Sequence, residues 1–236
     1  MRERQLRAAH DRFLTGATHE LKTPLATVRL GLESLHAGTL PAEKHPLYLQ
    51  ALLREADRLE RGLSNLLASA GLRTAPVAVR LRHGDLADDV RACVADLRER
   101  AATAQVEIRL HELPRVDLAR DADGLRRALV NVLDNAIKFS PAHGRVDVSL
   151  RHDHDAAVIA VHDQGIGIAG DDLPHLGERF YRGRNAVHKG GTGLGLHLAR
   201  ELMRQAGGDL TVRSEGEQRG CRVELRLPAT GGTIRS

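Results

Sequence analysis

His19 sits among residues that can make an imidazole reactive. On a wheel turning about 100° per residue, Leu6, Leu14, Ala17, Leu21, Leu25, Val28, Leu32 and Leu35 fall on one stripe, with His19 roughly 160° from Leu21. Such a helix packs through its leucines and offers His19 to water. Thirteen histidines occur in the chain, and a lone outward one is ordinarily just solvated. His19 differs in its company, because Thr23 shares its face one turn later and Glu20 adjoins it. Glu20 can orient the ring and accept its proton, leaving a neutral imidazole with a lone pair for attack. Pro24, inside the periodic pattern, clashes with the carbonyl of Glu20 in a regular helix, so a bend is expected just past the histidine.

Three further stretches could handle a phosphorylated ligand. In NVLDNAIKF, residues 131–139, the apolar stripe is Leu125, Leu129, Val132 and Ala136, while Asn131, Asn135 and Lys138 cluster on its flank. Magnesium takes oxygen ligands while keeping several waters, and a lysine brings a point charge, so this flank suits a metal and phosphate oxygens. An ordinary amphipathic helix accounts for one such asparagine more easily than for the spaced pair plus lysine. DQGIGI, residues 163–168, ends an alternating apolar run and reads as a tight glycine turn; it lacks the dinucleotide-binding glycine spacing. GGTGLGL, residues 190–196, opens a helix, where glycines let backbone N–H groups approach an anion and the helix dipole adds positive potential.

The elements that must carry these groups divide in two. Residues 1–72 have only helical periodicity: one helix from near Arg4 to His36, closed by Gly38, and a second with the stripe Tyr48/Leu49, Leu52, Ala56, Leu59, Leu63, Leu66/Leu67 and Ala70, broken at Gly71. Two helices with single narrow seams cannot bury both as an isolated hairpin, so a homodimeric four-helix bundle is expected. After a joint at Ala75-Pro76, residues 76–230 mix helices with strands. Strands are expected at 77–81, 106–110, 145–151, 156–163, 209–214 and 221–227, and helices at 85–102, 121–139 and 194–205. That order suggests an α+β layer, with helices on one face of a mixed sheet.

Composition narrows the function. Lys and Arg number 35 against 31 Asp and Glu, without a clustered basic stripe, and aromatics are 2% of the chain, so base-stacking recognition of nucleic acid is disfavoured. Cys93 and Cys221 have neither metal-ligand nor disulfide-framework spacing. No apolar run approaches the roughly 18 residues needed to span a bilayer. The expectation is a cytoplasmic chain, or the cytoplasmic portion of a membrane-bound sensor whose upstream region is missing.

The segment FLTGATHELKTPLATVRL resembles the phosphoacceptor H box of sensor histidine kinases, Glu20 and Thr23 matching its E-x-x-T pattern. NVLDNAIKF resembles the N box of the histidine-kinase and gyrase-type ATPases, DQGIGI their first glycine box and GGTGLGL their second. Between the glycine boxes, ERFYRGRNAVHKG resembles the F box and ATP lid. The motifs follow in the family's order and cover nearly the whole chain. The resemblance implies a dimerisation and histidine phosphotransfer domain at 1–72, then a Bergerat-type catalytic ATP-binding domain at 76–230. It further implies ATP and Mg2+ as cofactors, with Asn135 and Asn131 at the metal and Asn131, Lys138 and Phe139 along the nucleotide. Asp163 would accept from the adenine amino group, with Gly165 and Gly167 shaping its turn. Phe180 would dock the lid; Arg182, Arg184 or Lys189 would meet the phosphates; Gly191, Thr192, Gly193, Leu194 and Gly195 would hold phosphate oxygens. His19 would take the γ-phosphoryl group and pass it to an aspartate on the receiver domain of a response regulator. Thr23 would position water in the reverse, phosphatase reaction. Two rivals are a gyrase-like ATPase, for which Asn131 stands where those relatives carry an activating glutamate, and a catalytically idle nucleotide-binding scaffold.

Overall fold

The computed structural model describes residues 22, 24–38, 41–53, 55–56, 59, 81–153, 155–189 and 192–229. The chain divides into two compact units, Met1–Thr74 with Gly190–Leu194, and Ala75–Lys189 with Gly195–Ser236.

In the first unit, residues 24–36 form helix α1, and Gly38 at φ +64° ends it as a left-handed cap. A short 3-10 turn, Ala42–Lys44, leads into helix α2 at residues 45–53. The helices meet where Leu52 covers Gly31: a Cβ on that glycine would lie 2.4 Å from Leu52 Cδ2. Leu52 is buried there, whereas Leu25 and Leu32 of the expected α1 stripe stay exposed, as do Leu30, Leu47, Leu49 and Leu53. The hairpin thus retains an apolar surface that its own packing does not cover. The bend expected at Pro24 falls at the edge of the described residues.

The second unit is a two-layer sandwich. Strands β1 (Leu81–Asp85) and β3 (Asp117–Asp121) pair antiparallel as a separate ribbon. Strands β2 (Glu107–Leu110), β4 (Arg145–Asp153), β5 (Ala156–Asp163), β6 (Asp209–Arg213) and β7 (Cys221–Pro228) form a sheet in the order β2-β4-β5-β7-β6. It is mixed, because β2 runs parallel to β4 and the other neighbours are antiparallel. Helices α3 (Leu86–Thr103), α4 (Ala122–Phe139) and α5 (Gly195–Gln205) supply the other layer. The pleat explains the core: Val146, Val148 and Leu150, then Ala157, Ile159 and Val161, then Val223, Leu225 and Leu227 alternate toward Val90, Val94, Leu129, Leu133, Ala199 and Met203. On the opposite face small residues such as Ala160 are covered by long charged ones, where Glu224 receives both Arg151 Nη1, at 3.1 Å, and Arg222 Nε, at 3.0 Å.

Each strand of the ribbon delivers a helix. Asp85 caps α3 by accepting from Ala87 N at 3.0 Å, and the same oxygen accepts from Val116 N at 3.0 Å, across the ribbon. Asp121 caps α4 through Gly124 N, 3.1 Å. Two sequence expectations are corrected here. The strand expected at 77–81 runs on to Asp85 among the described residues, 77–80 lying outside them, and β3 stands where the pattern predicts no strand. Both strands lack β-branched and aromatic residues. In β3 the inward alternates are Leu118 and Arg120, and the buried arginine pairs with Asp89 while donating to the Arg82 carbonyl at 3.1 Å. A charge at a core position conceals the alternation that identifies a strand.

Candidate functional site

Helix α4 is the spine of the site. Its apolar stripe, Leu125, Leu129, Val132 and Ala136, is buried as the periodicity requires, leaving Asn131, Asn135, Lys138 and Phe139 half-buried at the edge. Asn131 Nδ2 donates to the Arg127 carbonyl at 2.9 Å, which fixes the amide and turns its oxygen outward. That oxygen faces Gly195, the first residue of α5: a Cβ on Gly195 would lie 3.1 Å from Asn131 Oδ1 and 3.8 Å from Asn135 Nδ2. Glycine is therefore what lets the backbone approach the asparagine pair. Lys138 Nζ lies 5.2 Å from the ring centre of Phe139.

The C-terminal end of α4 holds the first glycine turn. Ile166 N donates to the Phe139 carbonyl at 3.2 Å, and a Cβ on Gly165 would lie 2.7 Å from that carbonyl. Asp163, the last residue of β5, is 6% exposed, and its Oδ1 accepts from Gly165 N at 2.8 Å and Cys221 N at 3.2 Å. Burial pushes its carboxyl above the ordinary value, with the two N–H donors opposing the shift. A carboxylate kept there at that cost, with one oxygen fixed, is an acceptor held ready for a polar ligand edge. Burial also pushes the neighbouring Cys221 thiol up to about 12, so it is no nucleophile.

The β6–β7 loop braces this turn from below. Ser214 Oγ accepts from Ile168 N at 3.0 Å and lies 2.7 Å from the Gly220 carbonyl, while Gln218 N donates to the Ile166 carbonyl at 2.7 Å. Gly167 has φ +62°, and a Cβ there would lie 2.0 Å from the Gly216 carbonyl oxygen. Gly167→Ala is accordingly expected to lose about 1–2 kcal/mol from the left-handed backbone alone, with the clash added. Thermal unfolding of the variant should show a melting temperature lower by roughly 5 °C or more.

Residues 171–189 follow as a loop with two 3-10 turns, Leu173–His175 and Arg184–Lys189, the second packed against α4. Arg182 is half-buried and donates from Nη2 to the Ala186 carbonyl at 2.7 Å; Lys189 is exposed. Arg184 pairs with Asp171, at 3.2 Å, and Asp172, at 3.4 Å, and its side chain is exposed. Phe180 adopts φ +67°. In the second glycine motif Gly193 has φ +73°, and Leu194 N donates to Thr192 Oγ1 at 3.4 Å.

The structure therefore gathers Asn131, Asn135, Phe139, Asp163, Gly165 and Gly195 around α4. His19, Glu20, Thr23 and Gly191 lie outside the described residues. Asp172, Tyr181, Asn185 and Ser214 are added to the site's frame; none stands out in the sequence, because the bonds that tie them to Tyr181, Arg184, Gly167 and Ile168 span nine or more positions. Among the described residues no cluster of three or more His, Cys, Asp or Glu could hold a metal ion, and no helix is long and apolar enough to cross a membrane.

A helix bearing two asparagines against a glycine-opened helix, beside a buried aspartate in a glycine turn, defines a Bergerat-type ATP-binding domain. Residues 120–231 match the family described as histidine kinase-, DNA gyrase B-, and HSP90-like ATPase, and residues 9–73 match the His Kinase A (phospho-acceptor) domain. The chain belongs to the sensor histidine kinases of two-component systems. It is 31% identical over 227 residues to the sensor-like histidine kinase SenX3 of Mycobacterium tuberculosis, covering 95% of this chain and 55% of that protein. The chain thus spans about half the length of such relatives. Among solved structures, the mycobacterial sensor histidine kinase MprB is 30% identical with a TM-score of 0.56, over 64% of this chain and all of that one. Full-length ShkA in complex with AMPPNP is 26% identical with a TM-score of 0.64, over 95% of this chain and 47% of that one.

Proposed function

We propose that the chain binds ATP with Mg2+, transfers the γ-phosphoryl group to His19, and hands it to an aspartate on a response regulator. One observation carries the nucleotide part: α4 touches both glycine motifs, Gly195 through Asn131 and Asn135, and Gly165–Ile166 through the Phe139 carbonyl. The AMPPNP complex of ShkA supports the same ligand class. Asp163 would accept from the adenine amino group. Asn135 and Asn131 are oxygen donors of the kind Mg2+ prefers, and the ion would supply charge neutralisation at the phosphates. Lys138, Arg182 and Lys189 are the cations assigned to the phosphates, with Thr192 and the glycines beside it giving backbone donors. Glu20 would orient the His19 ring and accept its proton, and Thr23 would place water for regulator dephosphorylation. Asn131 is neutral and spends an N–H on its own helix, so the site has no base there for hydrolysing ATP with water.

The exposed leucines of the hairpin support a homodimer in which a second copy covers them.

Incubation with labelled ATP and magnesium tests the reading. Label stable in alkali and lost in acid is expected; acid-stable label, or none, rejects it. Asn135→Ala is expected to weaken magnesium-dependent ATP binding on the order of tenfold, as loss of one polar ligand contact implies, with the helical dimer unchanged. Titration calorimetry with and without magnesium checks the binding, and light scattering of the variant checks the dimer.

A further inference from the structure

Asp172 is a buried carboxylate that the proposed reaction does not use, with 3% exposure. It stands at the position that would cap the Leu173–His175 turn, yet its side chain makes no capping bond. Its oxygens go to a segment nine to twelve residues later. Oδ1 accepts from the Tyr181 hydroxyl at 2.8 Å and pairs with Arg184 Nε at 3.4 Å; Oδ2 accepts from Arg184 N at 2.9 Å. The backbone between these anchors passes so close that a Cβ on Gly183 would lie 3.2 Å from Oδ2. Burial pushes the carboxyl up, and the N–H, hydroxyl and guanidinium donors outweigh it, leaving Asp172 below its ordinary value and charged. Burial and the same carboxylate push the Tyr181 hydroxyl up to about 12, so it remains a donor.

The residue bracketed by these contacts is Arg182, one of the cations assigned to the phosphates. One position before it and two after it, the chain is tied to a single carboxylate. A second tie closes the frame, since Asn185 Nδ2 donates to the Gly167 carbonyl at 2.9 Å and the Ile166 carbonyl at 3.3 Å. The lid segment is thereby referenced to the turn that also fixes Asp163.

We infer that Asp172 is a positioning residue for the triphosphate end of the nucleotide: its carboxylate sets the backbone on both sides of Arg182, so that the guanidinium meets phosphate oxygens while the adenine end depends on Asp163. The inference rests on the proposed nucleotide site. Charge-assisted hydrogen bonds to a buried carboxylate are the strong ones, and an asparagine there turns one acceptor into a donor facing either the Arg184 N–H or the Tyr181 hydroxyl.

The experiment compares ATP with adenosine, using the full chain and titration calorimetry. Asp172→Asn is expected to weaken ATP by about tenfold while adenosine stays within about twofold. Tyr181→Phe, which removes only a hydroxyl, is expected to shift ATP in the same direction with adenosine again unchanged, and it decides the matter if Asp172→Asn does not fold. Unchanged ATP affinity in these variants overturns the inference. So does an equal loss of ATP and adenosine, the mark of a merely structural role. Failure of the wild-type chain to bind ATP overturns the nucleotide site itself, a different outcome from wild-type binding that the variants leave intact.

Discussion

Replacing His19 with glutamine is expected to abolish acid-labile self-labelling while ATP affinity stays at the wild-type value. The size of the effect follows from the chemistry. Glutamine keeps the polarity of the position, but its amide nitrogen has no available lone pair, so nothing remains to attack phosphorus. Nucleotide affinity is expected to be insulated from the change because Asn131, Asn135, Phe139, Asp163, Gly165 and Gly195 all belong to the second unit. The two measurements are made on one preparation, labelled ATP followed by acid and alkali treatment, and equilibrium binding of unlabelled nucleotide. Acid-labile phosphate persisting in the variant would move the acceptor to another of the 13 histidines.

Asp163→Asn is expected to separate binding from stability. The asparagine oxygen can keep the bonds from Gly165 N and Cys221 N, which places its amino group where the free carboxylate oxygen was. Two donors then face one another across the adenine amino group, and the lost bond to a charged acceptor corresponds to about 1.5–3 kcal/mol, or roughly 10- to 100-fold in ATP affinity. Stability moves the other way. Burial raises the Asp163 carboxyl, so between its ordinary and its raised value the native state holds a proton that the unfolded state has released. Stability contributed by this group therefore falls as pH rises through that window, and the cost is carried in full above it. The neutral amide has no such cost. Relative to wild type, the variant's melting temperature is expected to be higher at pH 7 than at pH 4, and a gap that stays constant or narrows with rising pH would refute the assignment. A residue retained against its own effect on stability is one kept for a ligand.

How far these features can be read from the order of residues depends on the length scale of the interaction. The run AAVIAVHD announces β5, and the stripe through Leu125, Leu129, Val132 and Ala136 announces α4, because both signals lie within one element. The flank of asparagines and the glycine turns are legible for the same reason. What is not local is lost. The second donor to Asp163 comes from Cys221, 58 residues on, and the partners of Asp172 lie 9 and 12 residues away with no motif to mark them. β3 escapes notice for a chemical reason, since Arg120 takes a core-facing position where the pattern requires an apolar side chain. The apolar stripe of α1 is legible as a surface, although a single chain leaves Leu25 and Leu32 uncovered.

The β1–β3 ribbon also has a mechanical meaning. Polypeptide ahead of Leu81 enters the ribbon through β1, whose five residues are paired from Leu81↔Asp121 to Asp85↔Asp117. A pull along the strand axis loads those rungs together in shear, not one after another, and Arg120 adds a crossbar from β3 to the Arg82 carbonyl. Because β1 continues directly into α3 and β3 into α4, tension or torque arriving at Leu81 is delivered to the roots of both helices at once. The ribbon thus ties the starting points of α3 and of the helix that carries Asn131 and Asn135 into one hydrogen-bonded register.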